Sequence, residues 1–179
     1  RQRQMCIRDS FNSLNTLRSL VREDQDKAQE YIQELSRVLR YTLQGNDSKS
    51  VTLRDEMEFV SAYIFLLKMR FEDNLSFDIR IDKQYDDHRL PPMAVQMLIE
   101  NAVKHNEISD RRPLSIRVYT EGEELVVTNP VQPKLTATAG TGVGLANLAK
   151  RYHLLYKCEI QITENKYFTV RIPLIPNAL

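Results

Sequence analysis

Cysteine, glycine and tryptophan are scarce or absent in this sequence, and neither sign of charge is in excess. Two cysteines in 179 residues cannot form a disulfide framework or a cysteine metal cluster, which favours a reducing compartment such as the cytosol. The 25 basic and 24 acidic side chains nearly cancel, so no basic field exists to attract nucleic acid. No apolar run reaches the roughly 20 residues that a membrane-spanning helix needs. We therefore expect a globular chain that binds no nucleic acid.

Proline is absent before residue 91, and glycine occurs there only at position 45. Apolar residues recur in this region at helical spacing, in two runs separated by polar residues 22–27, which predicts two packed helices. Thr52 with Asp55 forms a capping-box pattern that opens a third helix. The apolar seam of that helix has the spacing of bundle helices and predicts packing against a second copy or within one chain. Its members are Leu53, Met57, Val60, Ile64, Leu67 and Phe71.

The hydrophobic period changes after residue 72. Residues 75–81 alternate apolar and polar side chains, as a half-buried strand does. Pro91 and Pro92 predict the first turn of a helix, residues 114–129 a hairpin, 130–140 a loop, 145–156 a helix, and 159–172 a closing hairpin. The fold class is therefore predicted as α + α/β: helices in residues 1–72, then a two-layer α/β sandwich in residues 73–179.

The helix after Pro92 carries polar groups on a stripe that should be apolar. At helical spacing Asn101 and His105 share a face with Met97 and Leu98. A buried amide without a partner costs roughly 1 to 3 kcal/mol, so the pattern predicts a ligand for Asn101. The alternatives are an ordinary core asparagine bonded to backbone, and a satisfied core histidine.

A second unusual feature is the glycine-rich run that leads into the last predicted helix. Gly140, Gly142 and Gly144 precede Leu145. Glycines without side chains let backbone N–H groups approach a polyphosphate, and the following helix offers its positive N-terminal end. The alternative is a turn that only reverses the chain. The polar helix earlier in the sequence favours the phosphate interpretation.

These features resemble a known superfamily. Residues 100–105 are similar to the N box of the GHKL (Bergerat-type) ATPases, which include gyrase, the heat-shock chaperone, histidine kinases and MutL, and residues 140–145 are similar to their second glycine box. Further strings, in the same order, resemble the LytS-type sensor histidine kinases over nearly the whole chain. They are Phe11-Asn12-Ser13-Leu14-Asn15, Leu53-Arg54-Asp55-Glu56, Tyr63 with Arg70-Phe71, Pro91-Pro92, and Gly142-Val143-Gly144-Leu145-Ala146-Asn147.

The resemblance implies a site for ATP and Mg²⁺. Asn101 would be the Mg²⁺ ligand, since a neutral carboxamide oxygen suits a hard cation that keeps several waters. Glu100 would be the base or water-orienting carboxylate. Lys104 would contact phosphate, with an ion pair to Glu100 as the alternative, and His105 would lie near the phosphates. The glycines at 140, 142 and 144, with Leu145, would hold the nucleotide.

Two departures from the family pattern affect function. Asn129 stands where relatives carry the aspartate that accepts from the adenine amino group; its oxygen can still accept, without charge. Arg8 stands where relatives carry the phosphoacceptor histidine. A guanidinium has no free lone pair, so no phosphohistidine can form there. Because agreement with the family begins abruptly at Phe11, we expect residues 1–10 to be foreign or erroneous sequence.

The resemblance implies a sensor histidine kinase of a two-component system, which transfers the γ-phosphoryl of ATP to a bundle histidine and then to an aspartate on a response-regulator receiver domain. It also implies a homodimer through the N-terminal helices, and a cytoplasmic region of a parent protein anchored in the bacterial inner membrane. Two alternatives stay open: a catalytically degenerate ATP-binding dimerisation scaffold, which Arg8 favours, and an anti-sigma-type serine kinase, which the long helical lead disfavours.

Overall fold

A computed structural model describes residues 2–45, 48–134 and 143–177. Five α-helices, two short 3₁₀ helices and seven strands occur in these ranges. The α-helices are α1 (Gln2–Glu23), α2 (Gln25–Gly45), α3 (Leu53–Phe71), α4 (Ala94–His105) and α5 (Val143–Tyr156). The strands are β1 (Val51–Thr52), β2 (Leu75–Arg80), β3 (Arg89–Leu90), β4 (Leu114–Glu121), β5 (Glu124–Pro130), β6 (Gln161–Glu164) and β7 (Tyr167–Pro173). The predicted order of helices followed by a mixed α/β sheet is confirmed.

The first two helices form a hairpin with a very short break. Only Asp24 separates α1 from α2, and its carboxylate accepts a hydrogen bond of 3.0 Å from the backbone N–H of Lys27, as an N-cap residue does. The predicted polar segment 22–27 is therefore almost entirely helical. In α2, Ala28 and Tyr31 are buried. Several large apolar side chains of the hairpin stay exposed: Leu14, Val21, Ile32, Leu39 and Leu43.

Helix α3 begins as its sequence predicts. The backbone N–H of Asp55 donates to the Thr52 hydroxyl at 3.2 Å, so Thr52 is the N-cap. The predicted seam is buried or half-buried within this single chain, against α4 and the sheet. The sequence predicts packing of this seam either against a second copy or within one chain. The structure shows packing within the chain. The domain boundary after residue 72 stays a prediction, because α3 and the sheet share one hydrophobic cluster.

Five strands form the main sheet in the order β2-β4-β5-β7-β6, with β2 parallel to β4 and the other neighbours antiparallel. The hairpin of β4 and β5 turns at Gly122, whose φ of 60° lies in the left-handed region that glycine adopts at little cost. Along β4, Leu114, Ile116 and Val118 are buried while the residues between them are exposed. One face of the sheet thus packs on the helices.

Helix α4 begins later than its prolines predict. Pro91 and Pro92 precede the helix, and Met93 is its N-cap with a φ of 63°. A left-handed backbone at a residue other than glycine costs of order 1 kcal/mol, so the surroundings must hold Met93 in place.

In the described part of the chain, no helix has the length and apolar character to cross a membrane.

Candidate functional site

The polar residues of α4 lie along the edge of its buried face. The core row consists of Ala94, Val95, Leu98, Ile99 and Ala102, whereas Met97 and Asn101 are both half-buried. Asn101 is therefore less buried than Leu98 and has the same degree of exposure as Met97, which lies one turn before it. Its carboxamide makes no hydrogen bond to any residue in the described ranges, so the backbone-bonded core asparagine is not what the structure shows there.

The glycine motif reaches the same flank of α4. Gly144 lies in the first turn of α5, and a Cβ atom at that position would lie 3.5 Å from Sδ of Met97. Since Met97 and Asn101 are one turn apart on one face, the end of the glycine motif and Asn101 converge. Leu145 is half-buried against the core. Gly140 and Gly142 lie outside the described residues, as does most of the predicted loop 130–140.

Glu100 lies beside Asn101 on α4 and is half-buried. Its carboxylate accepts a hydrogen bond of 3.2 Å from Nε2 of Gln96, one turn earlier. Lys104 is exposed, and both interpretations of Lys104, phosphate contact and ion pair with Glu100, stay predictions.

His105, at the end of α4, is exposed, so the alternative of a core histidine is wrong. Partial desolvation, and then the charges of Lys104 and Lys134, lower the pKa of His105 below its usual value. Lys134 donates to the carbonyl of Val103 at 3.2 Å. Sequence reasoning missed Lys134, which adds a third basic group to the end of α4 and makes it suited to an anion.

Asn129 occupies the end of β5 and is 2% exposed. It shares a sheet face with Leu125 and Val127, which belong to the core cluster that includes α4. Its amide nitrogen donates to the carbonyl of Pro130 at 2.8 Å. The residue expected to accept from adenine therefore lies on the helix-facing side of the sheet.

A second asparagine, which the sequence did not single out, joins α4 to the chain after β5. Asn106 is the C-cap of α4; its Nδ2 donates to the carbonyl of Ala102 and its Oδ1 accepts from the backbone N–H of Gln132, both at 2.8 Å. Nε2 of Gln132 in turn donates to the carbonyl of Glu107 at 2.9 Å. These contacts tie the segment that leaves Asn129 to the end of the helix that carries Asn101.

A third polar residue is Glu56 of α3, which the sequence analysis names only within a family string and which is fully buried. Its carboxylate accepts hydrogen bonds from Tyr41 and from the backbone at the start of α4. Glu56 lies three residues after Leu53 and four before Val60, both in the buried seam. A polar residue on an apolar stripe is the signal that marked Asn101, and it was available here too.

A cleft of about 770 Å³ lies away from this flank, between α2 and α3, and is lined by Arg37, Tyr41, Asp55 and Phe59 among others. It contains none of the predicted site residues. Across the described ranges, no group of three histidine, cysteine or acidic side chains could hold a metal by itself. A single carboxamide ligand fits Mg²⁺, which usually takes one or two protein ligands together with phosphates and water.

The structure consists of a helical hairpin followed by a domain of helices and a mixed sheet, and comparisons with known proteins identify its family. The family model described as "Histidine kinase" matches residues 10–75. Sensor protein LytS of Streptococcus agalactiae serotype V is 33% identical over 164 residues, covering 82% of this chain and 28% of that protein. Sensor histidine kinase BtsS of Escherichia coli K12 is 32% identical over 174 residues, covering 91% of this chain and 31% of that protein.

Among solved structures, the cytoplasmic segment of histidine kinase QseC matches with a TM-score of 0.52 at 10% identity, covering 72% of this chain and 78% of that one. That likeness shows the fold, helices followed by a mixed α/β sheet. The chain belongs to the histidine kinase family, in its LytS-type group. It spans less than a third of the length of the LytS and BtsS relatives.

Proposed function

We propose that this chain is the nucleotide-binding and dimerisation region of a sensor histidine kinase, and that the flank of α4 at Asn101 binds ATP with Mg²⁺. The convergence of Asn101 and Gly144 on Met97 carries this proposal. The two parts of the sequence that the resemblance assigns to one nucleotide meet at one edge of one helix. Family membership supports the use of ATP.

In this site each residue has a distinct task. The Asn101 oxygen would coordinate Mg²⁺, which when bound neutralises phosphate charge. Glu100, held by Gln96, would orient the attacking group. Lys104, His105 and Lys134 would surround phosphate with positive charge, and the Asn129 oxygen would accept from the adenine amino group. Catalysis of this kind depends mainly on positioning and charge neutralisation.

The variant Asn101→Ala tests the site. Without the carboxamide oxygen, Mg-ATP binding should be lost, whereas Asn15→Ala on the exposed side of α1 should leave the affinity unchanged. Titration calorimetry with and without Mg²⁺ measures both variants. An unchanged affinity for Mg-ATP in Asn101→Ala would exclude Asn101 as the metal ligand.

The phosphoacceptor position needs a separate test, because Arg8 cannot accept a phosphoryl group. Position 8 lies in α1. Replacing the whole segment with the family pattern gives the variant C6N/I7P/R8H/D9F/S10L, which should become labelled from γ-labelled ATP with an acid-labile bond. The matched control C6N/I7P/D9F/S10L keeps Arg8 and should stay unlabelled. Absence of acid-labile phosphate on the first variant would count against the kinase proposal.

The degenerate scaffold is the second candidate, and Arg8 favours it. In that case the unaltered chain binds Mg-ATP, dimerises and never passes phosphate to a partner. The serine kinase alternative requires no bundle histidine, and would place acid-stable phosphate on a partner protein. Analysing any phosphorylated partner for acid lability separates these functions.

The proposed partners are a second copy of the chain and a response-regulator receiver domain. The exposed apolar side chains of the α1–α2 hairpin support self-association, since exposed apolar side chains gain free energy when a matching surface covers them. The proposed parent protein is anchored in the bacterial inner membrane, with this region on its cytoplasmic side.

A further inference from the structure

Glu56 presents its carboxylate to donors from two other helices. Oε2 accepts a hydrogen bond of 2.7 Å from the hydroxyl of Tyr41 on α2, and another of 3.0 Å from the backbone N–H of Met93. Oε1 accepts from the backbone N–H of Val95 at 3.1 Å, and the N–H of Gln96 contributes as well. A buried carboxylate is tolerated only when such donors replace water.

The backbone donors are the ones that a helix leaves unsatisfied at its start. Met93, the N-cap of α4, makes no side-chain capping bond, and the first N–H groups of a helix have no partner within it. Glu56 therefore caps α4 from a neighbouring helix, at the positive end of the helix dipole. Burial raises the pKa of its carboxyl, whereas the hydrogen bonds from Tyr41 and the backbone of α4 favour the ionised form. The same bonds hold Met93 in its left-handed conformation.

Tyr41 brings α2 into this arrangement. Its ring stacks on Phe59 of α3 with a centroid distance of 4.2 Å and an interplanar angle of 11°. Burial, and then the charge of Glu56, raise the pKa of the Tyr41 phenol, so the hydroxyl keeps its proton and remains a donor. Tyr41 also lines the cleft between α2 and α3, so its ring borders open space on one side.

Helix α4 connects this cap to the proposed nucleotide site. Asn101 follows Val95 by six residues, about 9 Å along the helix axis at 1.5 Å per residue. A hydrogen-bonded helix of twelve residues moves nearly as one body over that distance. A displacement of its N-terminus therefore displaces Asn101.

We propose that Glu56, held by Tyr41, is a positioning residue that couples the second hairpin helix to the Mg²⁺ ligand Asn101. This proposal rests on the proposed function, because it assigns a task relative to Mg-ATP. A movement of α2 would reach the nucleotide through one hydroxyl, one carboxylate and the first turn of α4. Reciprocally, Mg-ATP binding would alter the surroundings of Tyr41.

The variant Tyr41→Phe removes the hydroxyl and keeps the ring that stacks on Phe59. The matched control is Tyr31→Phe, which removes a hydroxyl from a buried tyrosine on the same helix. For each protein, calorimetry gives the ATP affinity with Mg²⁺ and without it. The ratio of the two affinities reports how well Asn101 is placed, whereas a merely structural defect lowers both affinities together.

We expect Tyr41→Phe to reduce the Mg²⁺-dependent gain in affinity about tenfold, as loss of one hydrogen bond to a charged group does, and Tyr31→Phe to leave it unchanged. Glu56→Gln should reduce it further, because an amide places a donor against backbone donors. If Glu56→Gln does not fold, the Mg²⁺-dependent gain in ATP affinity of Tyr41→Phe still tests the coupling. An unchanged ratio in Tyr41→Phe would overturn the coupling.

A spectroscopic readout tests the reverse direction. In protein labelled with 3-fluorotyrosine, the Tyr41 signal is assigned by its absence in Tyr41→Phe, and it should shift on adding Mg-ATP. A Tyr41 signal that ignores bound Mg-ATP would also overturn the coupling. If the unaltered chain binds no Mg-ATP at all, the proposed function fails instead, and the two failures are thereby distinguished.

Discussion

The α1–α2 hairpin and the α/β part treat their apolar side chains in opposite ways. In β4 and β5 the inward apolar residues are at most 4% exposed, whereas Leu14, Leu39 and Leu43 of the hairpin are 59%, 53% and 74% exposed. The sheet closes a core within one chain because helices cover one of its faces. The hairpin keeps several apolar side chains exposed, because α1 and α2 by themselves do not enclose a core.

Two polar side chains on packed helices, the buried Glu56 of α3 and the half-buried Asn101 of α4, make a second contrast. Glu56 has every neighbour it needs within the chain, from α2 and α4. Asn101 has no hydrogen-bond partner in the described ranges and lies at the edge of the buried face of α4. The hydrogen-bonded carboxylate of Glu56 fixes the start of α4. The carboxamide of Asn101 has no such bonds, so it can bond a ligand.

The largest expected effect is a loss of stability when a side chain is removed from the core of the sheet. Ile116→Ala, at a position of zero exposure in β4, should lower the free energy of unfolding by about 2–5 kcal/mol through lost contacts and a cavity. Leu39→Ala, on the exposed face of α2, should change it by no more than about 0.5 kcal/mol. Hydrogen exchange of the β4 and β5 amides measures the free energy of unfolding of both variants. Equal losses would show that the hairpin and the sheet form one core.

A charge on the hairpin tests whether its exposed apolar side chains form an interface between two copies of the chain. Leu39→Glu should weaken self-association at least about tenfold, since burying one leucine contributes roughly 1.5–3 kcal/mol. It should leave exchange in the sheet unchanged. Gln33→Glu adds the same charge at an exposed polar position of α2 and serves as the control. Sedimentation equilibrium that gives one dimer constant for all three proteins would contradict an interface at Leu39.

The smallest expected effect concerns the basic end of α4. The pKa of His105 is lowered in the folded chain, so the unfolded chain binds the proton more readily. The stability that neutral His105 contributes is present above its unfolded pKa of about 6.5 and is lost as the pH falls through the folded pKa. Bound polyphosphate should reverse the shift, because an anion stabilises the imidazolium.

An NMR titration of the His105 ring in the free and Mg-ATP-bound protein measures this shift. We expect a pKa below the usual histidine value in the free protein and a higher pKa in the bound one. If bound nucleotide leaves the pKa of His105 where it was, this end of α4 does not face the phosphates.

Much of the fold was predictable because local patterns determine local structure. The sequence predicted a hairpin over residues 114–129, where β4 and β5 form, and Thr52 predicted the start of α3. The prediction failed where tertiary bonds compete with local preference. Pro92 favoured an earlier start for α4, but the Glu56 carboxylate holds Met93 and Val95 so that the helix begins at Ala94.

Part of the candidate site was predictable for a similar reason. Asn101 was visible because a polar group on an apolar stripe requires a partner, and Glu56 could have been found by the same test. The Asn106–Gln132 bonds and the nearness of Lys134 to His105 could not, because those residues are distant in the sequence and only the packing of β5 beside α4 brings them together.

By itself, the sequence determined which segments become helices and strands, since side-chain periodicity is a local property of the chain. It also determined that no phosphohistidine can form at position 8, because the chemistry of arginine does not depend on the fold. Only the tertiary structure decided that the α3 seam is buried within one chain, that Glu56 caps α4, and that Gly144 meets the helix of Asn101. Those outcomes depend on which distant surfaces exclude water from each other.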